Sequence, residues 1–150
     1  MTHAERAKNN FLNGYNCAQS DVLAFADEID VPEKILLAAV MPLGGGLGRL
    51  RETCGAVSGG AVALGLLFPD CPKAEMYAMV QELAHAFAAK NGTINCGQLL
   101  RGAGLPAETV PHPEERTQEY YWKRPCPELI FDAAGIVADI CLRRGRILSC

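Results

Sequence analysis

The sequence has no long apolar run, no tract of basic residues and few aromatic side chains, which make up 7% of its 150 residues. Its most apolar segment, residues 54–68, is too short to span a bilayer and is interrupted by glycines. The opening residues, MTHAERAKNNFLNG, lack the apolar stretch of a signal peptide. We therefore expect a cytoplasmic protein that does not insert into a membrane.

The charge balance argues against nucleic acid as a partner. The formal net charge is −3, and the basic residues form one short cluster at Arg143, Arg144 and Arg146. Nucleic-acid-binding proteins usually present a basic patch to the phosphate backbone. With 49% hydrophobic and 21% charged residues, the composition is that of a folded globular chain. Its length suits one domain, so a single domain over residues 1–150 is expected.

The hydrophobic pattern is helical almost throughout, and no alternating strand pattern is found. It predicts an all-α, single-domain bundle of about six helices. The expected helices cover residues 4–12, 16 or 17 to about 29, 32–41, 54–67, 72–90 and 125–142. Residues 95–100 and 114–122 are weaker helical candidates.

A glycine-rich loop, Gly44 to Gly48, precedes a central helix of small residues, for which Thr53 is the expected cap. So many glycines predict that this helix packs very close to its neighbours. The loop follows no strand and does not end in Gly-Lys-Ser/Thr, which excludes a dinucleotide fingerprint and a P-loop. Arg49 and Arg51 follow it and are candidates to bind an anionic cofactor, such as a thiolate-ligated cluster. The alternative is a tight turn with solvated arginines.

Seven cysteines in a chain expected to be cytoplasmic favour metal binding or redox chemistry over structural disulfides. Four of them lie at or near an expected helix start, where free N–H groups favour a thiolate. These are Cys17, Cys54, Cys96 and Cys126. Their spacing matches no compact zinc or iron–sulfur motif, and Cys71 has a similar setting before Pro72. Cysteines can also be plain core residues; this is expected of Cys141, whereas Cys150 is expected to be a free thiol.

Several segments together resemble one family. They are residues 14–19 (GYNCAQ), the Gly44–Gly48 loop, residues 54–59 (CGAVSG), residues 95–100 (NCGQLL) and Cys126. The chain is similar over most of its length to the C_GCAxxG_C_C family of redox-active proteins, which share four cysteines. The resemblance implies that Cys17, Cys54, Cys96 and Cys126 form the site. A similar domain occurs in a multihaem cytochrome with an iron–sulfur centre, which favours a cluster, although this chain has no CxxCH motif.

The first hypothesis is a metal site ligated by these four cysteines. The metal group would be an iron–sulfur cluster or otherwise zinc, and the site would transfer electrons to a redox partner protein. Cys54 and Cys17 are the candidate catalytic thiols, and Asp21 and Glu52 could transfer protons or be ordinary helix-end charges. The second hypothesis is a metal-free thiol–disulfide redox protein. The third is a non-redox helical scaffold or oligomerisation module. A homodimer is possible.

Overall fold

The computed structural model describes residues 1–146 and 148, and Cys150 lies outside them. Within those residues there are eight helices of six or more residues and no β-strand, so the all-α prediction is confirmed. The helices are α1 (His3–Leu12), α2 (Cys17–Ala24), α3 (Glu33–Val40), α4 (Gly55–Leu67), α5 (Lys73–Asn91), α6 (Cys96–Gly102), α7 (Gln118–Lys123) and α8 (Cys126–Arg143). Short helical turns occupy Ala26–Glu28, Met41–Leu43 and Gly44–Leu47.

The two weaker helical candidates are both helices, α6 and α7. The second is shorter than expected because α7 begins only after Thr117, whose side chain accepts a hydrogen bond from the backbone N–H of Tyr120 at 3.1 Å. Residues 103–117 before it form a long irregular segment. That segment crosses the surface next to the candidate site.

Thr53 does not cap α4, which corrects the expectation from sequence. Cys54 is the residue before the helix, and Thr53 instead forms an antiparallel bridge with Asn95. The backbone N–H of Cys54 donates to the Ile94 carbonyl at 2.7 Å. These bonds keep Thr53 extended, so the helix begins one residue later than the expected cap implies.

The core is built around α4 and α8. Helix α8 buries the apolar residues that its periodicity predicted: Leu129, Ile130, Ala133, Ala134, Ile136, Val137 and Ile140. Cys141 is fully buried in the same helix, as expected. Phe11, Phe25 and Phe87 are also almost completely buried, each contributing about 1.5–3 kcal/mol through removal from water.

Helix α4 packs directly against the backbone of α2, because its glycines have no side chain on that face. A Cβ placed on Gly59 would lie 2.7 Å from both the Cα and the carbonyl oxygen of Ala18. A Cβ on Gly55 would lie 2.9 Å from the Cβ of Cys17. This close approach confirms the packing that the small-residue helix predicted, and it places the start of α2 beside the start of α4.

We predict that Gly59→Ala destabilises the fold by about 1–3 kcal/mol, since the new methyl group must push α2 away from α4. Gly65→Ala on the same helix is the matched control, because no atom lies within 4 Å of its Cβ position. There the gain in helix propensity should stabilise the protein by about 0.5–1 kcal/mol. Urea unfolding of the two variants measures both free energies. Equal effects in both variants would show that the α2–α4 contact does not require Gly59.

Candidate functional site

The four cysteines singled out by the sequence line one cavity of about 360 Å³. Cys17, Cys96 and Cys126 are the first residues of α2, α6 and α8, and Cys54 directly precedes α4. Four helix starts therefore converge on one space. None of the four forms a disulfide.

The start of α2 is fixed by Asn16. Its side chain accepts a hydrogen bond from the Gln19 N–H at 3.0 Å, while the Gln19 side chain accepts one from the Asn16 N–H at 3.1 Å. The Asn16 amide also donates to the carbonyl of Met41 at 2.9 Å, which ties α2 to the turn before the glycine-rich loop. Cys17 is thus held in place by the residue that precedes it.

Cys96 and Cys54 are brought together by backbone pairing between residues 51–54 and 94–97. The Cys96 N–H donates to the Glu52 carbonyl at 2.6 Å, in addition to the Cys54 bond already described. Gly46 makes room for this pairing, since its Cβ would lie 2.8 Å from the Cβ of Cys96. Its φ of +68° also favours glycine.

Cys126 is the thiol most inclined to ionise. A hydrogen bond with the Cys17 thiol lowers the pKa of Cys126 to about 7, against the effect of burial, and the charges of Arg124 and Arg116 lower it further. Arg124 also donates a hydrogen bond to this thiol. Cys126 and Cys17 are both half-buried and line the cavity.

A helix start does not by itself make a thiolate in this protein, which corrects the sequence expectation. The pKa of Cys17 is raised well above that of an ordinary thiol by its hydrogen bond to Cys126 and by burial. Burial also raises the pKa of Cys54, which is 5% exposed. Of the three, only Cys126 has its pKa lowered, by its interaction with Cys17 first and by Arg124 and Arg116 in addition, against the effect of burial.

The described residues do not form a ready metal site. Within residues 1–146 and 148, no group of three or more histidine, cysteine, aspartate or glutamate side chains is arranged so that it could hold a metal ion. The four thiols share a cavity, but their sulfurs are not gathered around one point. What the cavity does contain is a pair of thiols, Cys17 and Cys126, that influence each other's pKa.

The cavity is positively charged, although the whole chain is negative. Its charged lining among the described residues consists of Arg49, Arg51, Arg116, Arg124 and Glu114. Glu114 forms an ion pair with Arg124. The Nε atoms of Arg49 and Arg51 donate to the carbonyls of Val110 and Glu108, each at 2.8 Å. The arginines therefore fasten the irregular segment 103–117 beside the thiols.

The fourth arginine, Arg116, is enclosed by aromatic rings. It lies 4.3 Å from the centre of the Phe11 ring and 5.0 Å from that of Tyr120. It also donates to the carbonyls of Phe11 and Tyr15, each at 3.2 Å. Burial raises the pKa of Tyr120 to about 12, so this phenol forms a neutral wall of the cavity.

The two acidic candidates have different surroundings. Asp21 is completely buried one turn after Cys17, and within the described residues neither of its carboxylate oxygens has a hydrogen-bond partner. Desolvation raises its pKa well above the usual range, which favours a neutral carboxyl group. Glu52 is exposed and does not line the cavity.

Cys71 and Cys141 lie outside the cavity lining, as the family pattern implied. Cys141 is about 22 Å along α8 from Cys126, at 1.5 Å per residue. Arg116 and Arg124 were not singled out from the sequence. Arg124, two positions before Cys126, could have been noticed as a nearby cation, but the folding of Arg116 onto the site had no local signal.

The family model described as "Putative redox-active protein (C_GCAxxG_C_C)" matches residues 15–140. The chain belongs to this family. No curated protein and no solved structure was found to match it. Among the described residues, no helix has the length and apolar character needed to cross a membrane.

The lowered pKa of Cys126 predicts how its alkylation by iodoacetamide depends on pH. The thiolate should form as the pH rises through about 7 and should be lost as the pH falls below it. In Arg124→Gln the midpoint should move upward, because a charge that stabilises the thiolate is removed. Arg143→Gln, a change in an exposed ion pair with Glu82, is the control and should leave it unchanged.

Peptide mapping by mass spectrometry measures the rate at Cys126 separately from the other thiols. A midpoint at the ordinary thiol value of about 8.5 in the unsubstituted protein would contradict the assigned electrostatics.

Proposed function

We propose that this protein is a thiol–disulfide redox protein in which Cys126 is the attacking thiolate and Cys17 is the resolving thiol. The observation that carries the proposal is that Cys17 and Cys126, the first residues of α2 and α8, line one cavity and interact, so that the pKa of Cys126 is lowered and that of Cys17 is raised. An attacking thiol works best when its pKa is near ambient pH, and the partner should remain protonated until needed. Membership of a family described as redox-active supports this assignment.

The reaction transfers two electrons. The Cys126 thiolate attacks one sulfur of a substrate disulfide, so that a mixed disulfide forms and the leaving sulfur departs with the electron pair and takes up a proton. Cys17 then loses its proton and attacks the Cys126 sulfur. The Cys17–Cys126 disulfide forms, and the second substrate thiol is released. A dithiol partner protein would return the pair to the reduced state.

Cys54 and Cys96 stay as thiols in this scheme. Burial keeps Cys54 protonated, which makes it a poor nucleophile. Cys96 has the Nη1 atom of Arg51 at 3.7 Å from its sulfur. These two thiols help to line the cavity, and in this proposal Cys126, rather than the expected Cys54, is the attacking thiol.

Single substitutions test the order of attack. After incubation with hydroxyethyl disulfide, Cys17→Ser should accumulate a stable mixed disulfide on Cys126, because no thiol is left to resolve it. Cys126→Ser should form none there and should reduce the substrate at least about a hundredfold more slowly, as expected when a nucleophile is removed. Cys71→Ser, which changes a half-buried thiol outside the cavity, is the control.

Intact-mass and peptide-mass analysis follow the adducts. The proposal would be wrong if Cys126→Ser reduced the disulfide as fast as the unsubstituted protein, or if the trapped adduct were on Cys54.

A four-cysteine metal site is the second proposal, supported by the convergence of Cys17, Cys54, Cys96 and Cys126 on a cavity with excess positive charge. Arginines would offset the negative charge of a thiolate-ligated iron–sulfur cluster, and zinc would suit the same ligands. The sulfurs as arranged do not fit an ion, so binding would require them to move closer together.

The iron, zinc and sulfide content of protein purified without oxygen tests this second proposal. If metal is bound in a fixed ratio to the protein and is lost in the Cys96→Ser variant, the metal site is favoured over the dithiol scheme.

A further inference from the structure

Two arginines of the cavity have buried nitrogen atoms that the protein leaves without a hydrogen-bond partner. Arg51 is 8% exposed, and its Nη2 atom has no partner among the described residues. The Nη2 atom of Arg49 is buried and likewise unpartnered. Burying a donor of a charged group without a partner costs more than an ordinary hydrogen bond contributes. Such donors therefore point to a ligand that supplies the missing acceptor.

The charges around these arginines favour an anionic ligand. Neither Arg49 nor Arg51 forms an ion pair with a described residue, and Glu114, the acidic residue of the lining, is already paired with Arg124. Arg116 has its donors on backbone carbonyls. The cavity therefore has an excess of positive charge in a chain whose formal net charge is −3.

The backbone around these arginines is held in an unusual conformation. Leu47, Arg49 and Arg51 have φ values of +64°, +71° and +62°, in the left-handed region that is unfavourable for non-glycine residues. The Nε bonds to segment 103–117 then fix each guanidinium on the cavity side. The orientation of the Arg49 and Arg51 guanidinium groups is thus set by the fold rather than by an ion pair on the surface.

The size of the cavity restricts the ligand to a small molecule. A volume of about 360 Å³ is within the range of small-molecule pockets. Cys17 and Cys126 are both half-buried on its wall, and segment 103–117 contributes Pro111, Pro113, Glu114 and Arg116 to the lining. Guanidinium groups bind carboxylates through two N–H donors in one plane.

We propose that the cavity binds a low-molecular-weight disulfide that carries carboxylate groups, with Arg49 and Arg51 binding a carboxylate while a disulfide sulfur faces Cys126. This inference rests on the proposed thiol–disulfide function and adds its substrate class. The arginines are binding residues here, and the electron transfer is the two-thiol reaction already described.

Three small disulfides of different charge test the inference: dithiodipropionate, which is anionic, hydroxyethyl disulfide, which is neutral, and cystamine, which is cationic. The reduced protein should react with the anionic disulfide about ten- to a hundredfold faster than with the neutral one, and slowest with cystamine. Arg49→Gln and Arg51→Gln should lose most of this preference, measured in each variant as the ratio of the rate with the anionic disulfide to the rate with the neutral one. Arg143→Gln makes the same change of charge on the surface and should keep the preference.

Binding without reaction separates the two claims. Octanedioate, the carbon analogue of dithiodipropionate, should bind to the protein in calorimetry and bind at least about tenfold more weakly to Arg49→Gln. Arg49 is half-buried, so this variant serves if Arg51→Gln does not fold. Octanedioate binding without reduction of any disulfide would support the anion site and reject the thiol–disulfide function.

Reduction of all three disulfides at similar rates, with no octanedioate binding, would overturn the inference and leave the redox function standing. Faster reaction with a disulfide-bonded polypeptide such as insulin than with any small disulfide would also overturn it, in favour of a protein substrate.

Discussion

The site depends on how closely α2 can approach α4. Ala18 lies against Gly59, and Cys17 lies against Gly55, so two backbones meet where most helices would be separated by side chains. The contact fixes Cys17 beside Cys54. Because α8 packs on both α2 and α4, it also sets where Cys126 meets Cys17. A methyl group at this contact would change the geometry of the thiols as well as the packing.

Burial and arginine charge act in opposite directions on the thiols. Desolvation raises the pKa of Cys54, whereas at Cys126 it is opposed first by the interaction with Cys17 and then by the charges of Arg124 and Arg116. The pKa values of the two thiols therefore move in opposite directions, downward for Cys126 and upward for Cys17. Disulfide exchange needs one thiol that ionises readily and one that stays protonated.

Much of the fold could be predicted from the sequence, because helix periodicity and glycine or proline boundaries are local signals. The four cysteines that the family pattern selects are the ones that line one cavity, and Cys71 and Cys141, which it leaves out, lie outside that lining. The local signal failed at Thr53, where pairing with Asn95 overrides capping. The acidity of the thiols could not be predicted from local sequence either, because the position of Arg116 relative to Cys126 depends on the path of segment 103–117.

The central claim is that Cys17 and Cys126 are the redox pair. The most direct test is to reduce the protein without oxygen, oxidise it with one equivalent of hydroxyethyl disulfide and identify the bridged peptides by mass spectrometry. The account predicts a Cys17–Cys126 disulfide, with Cys54 and Cys96 still free. A bridge between Cys54 and Cys96, or no bridge within the four-cysteine set, would contradict it.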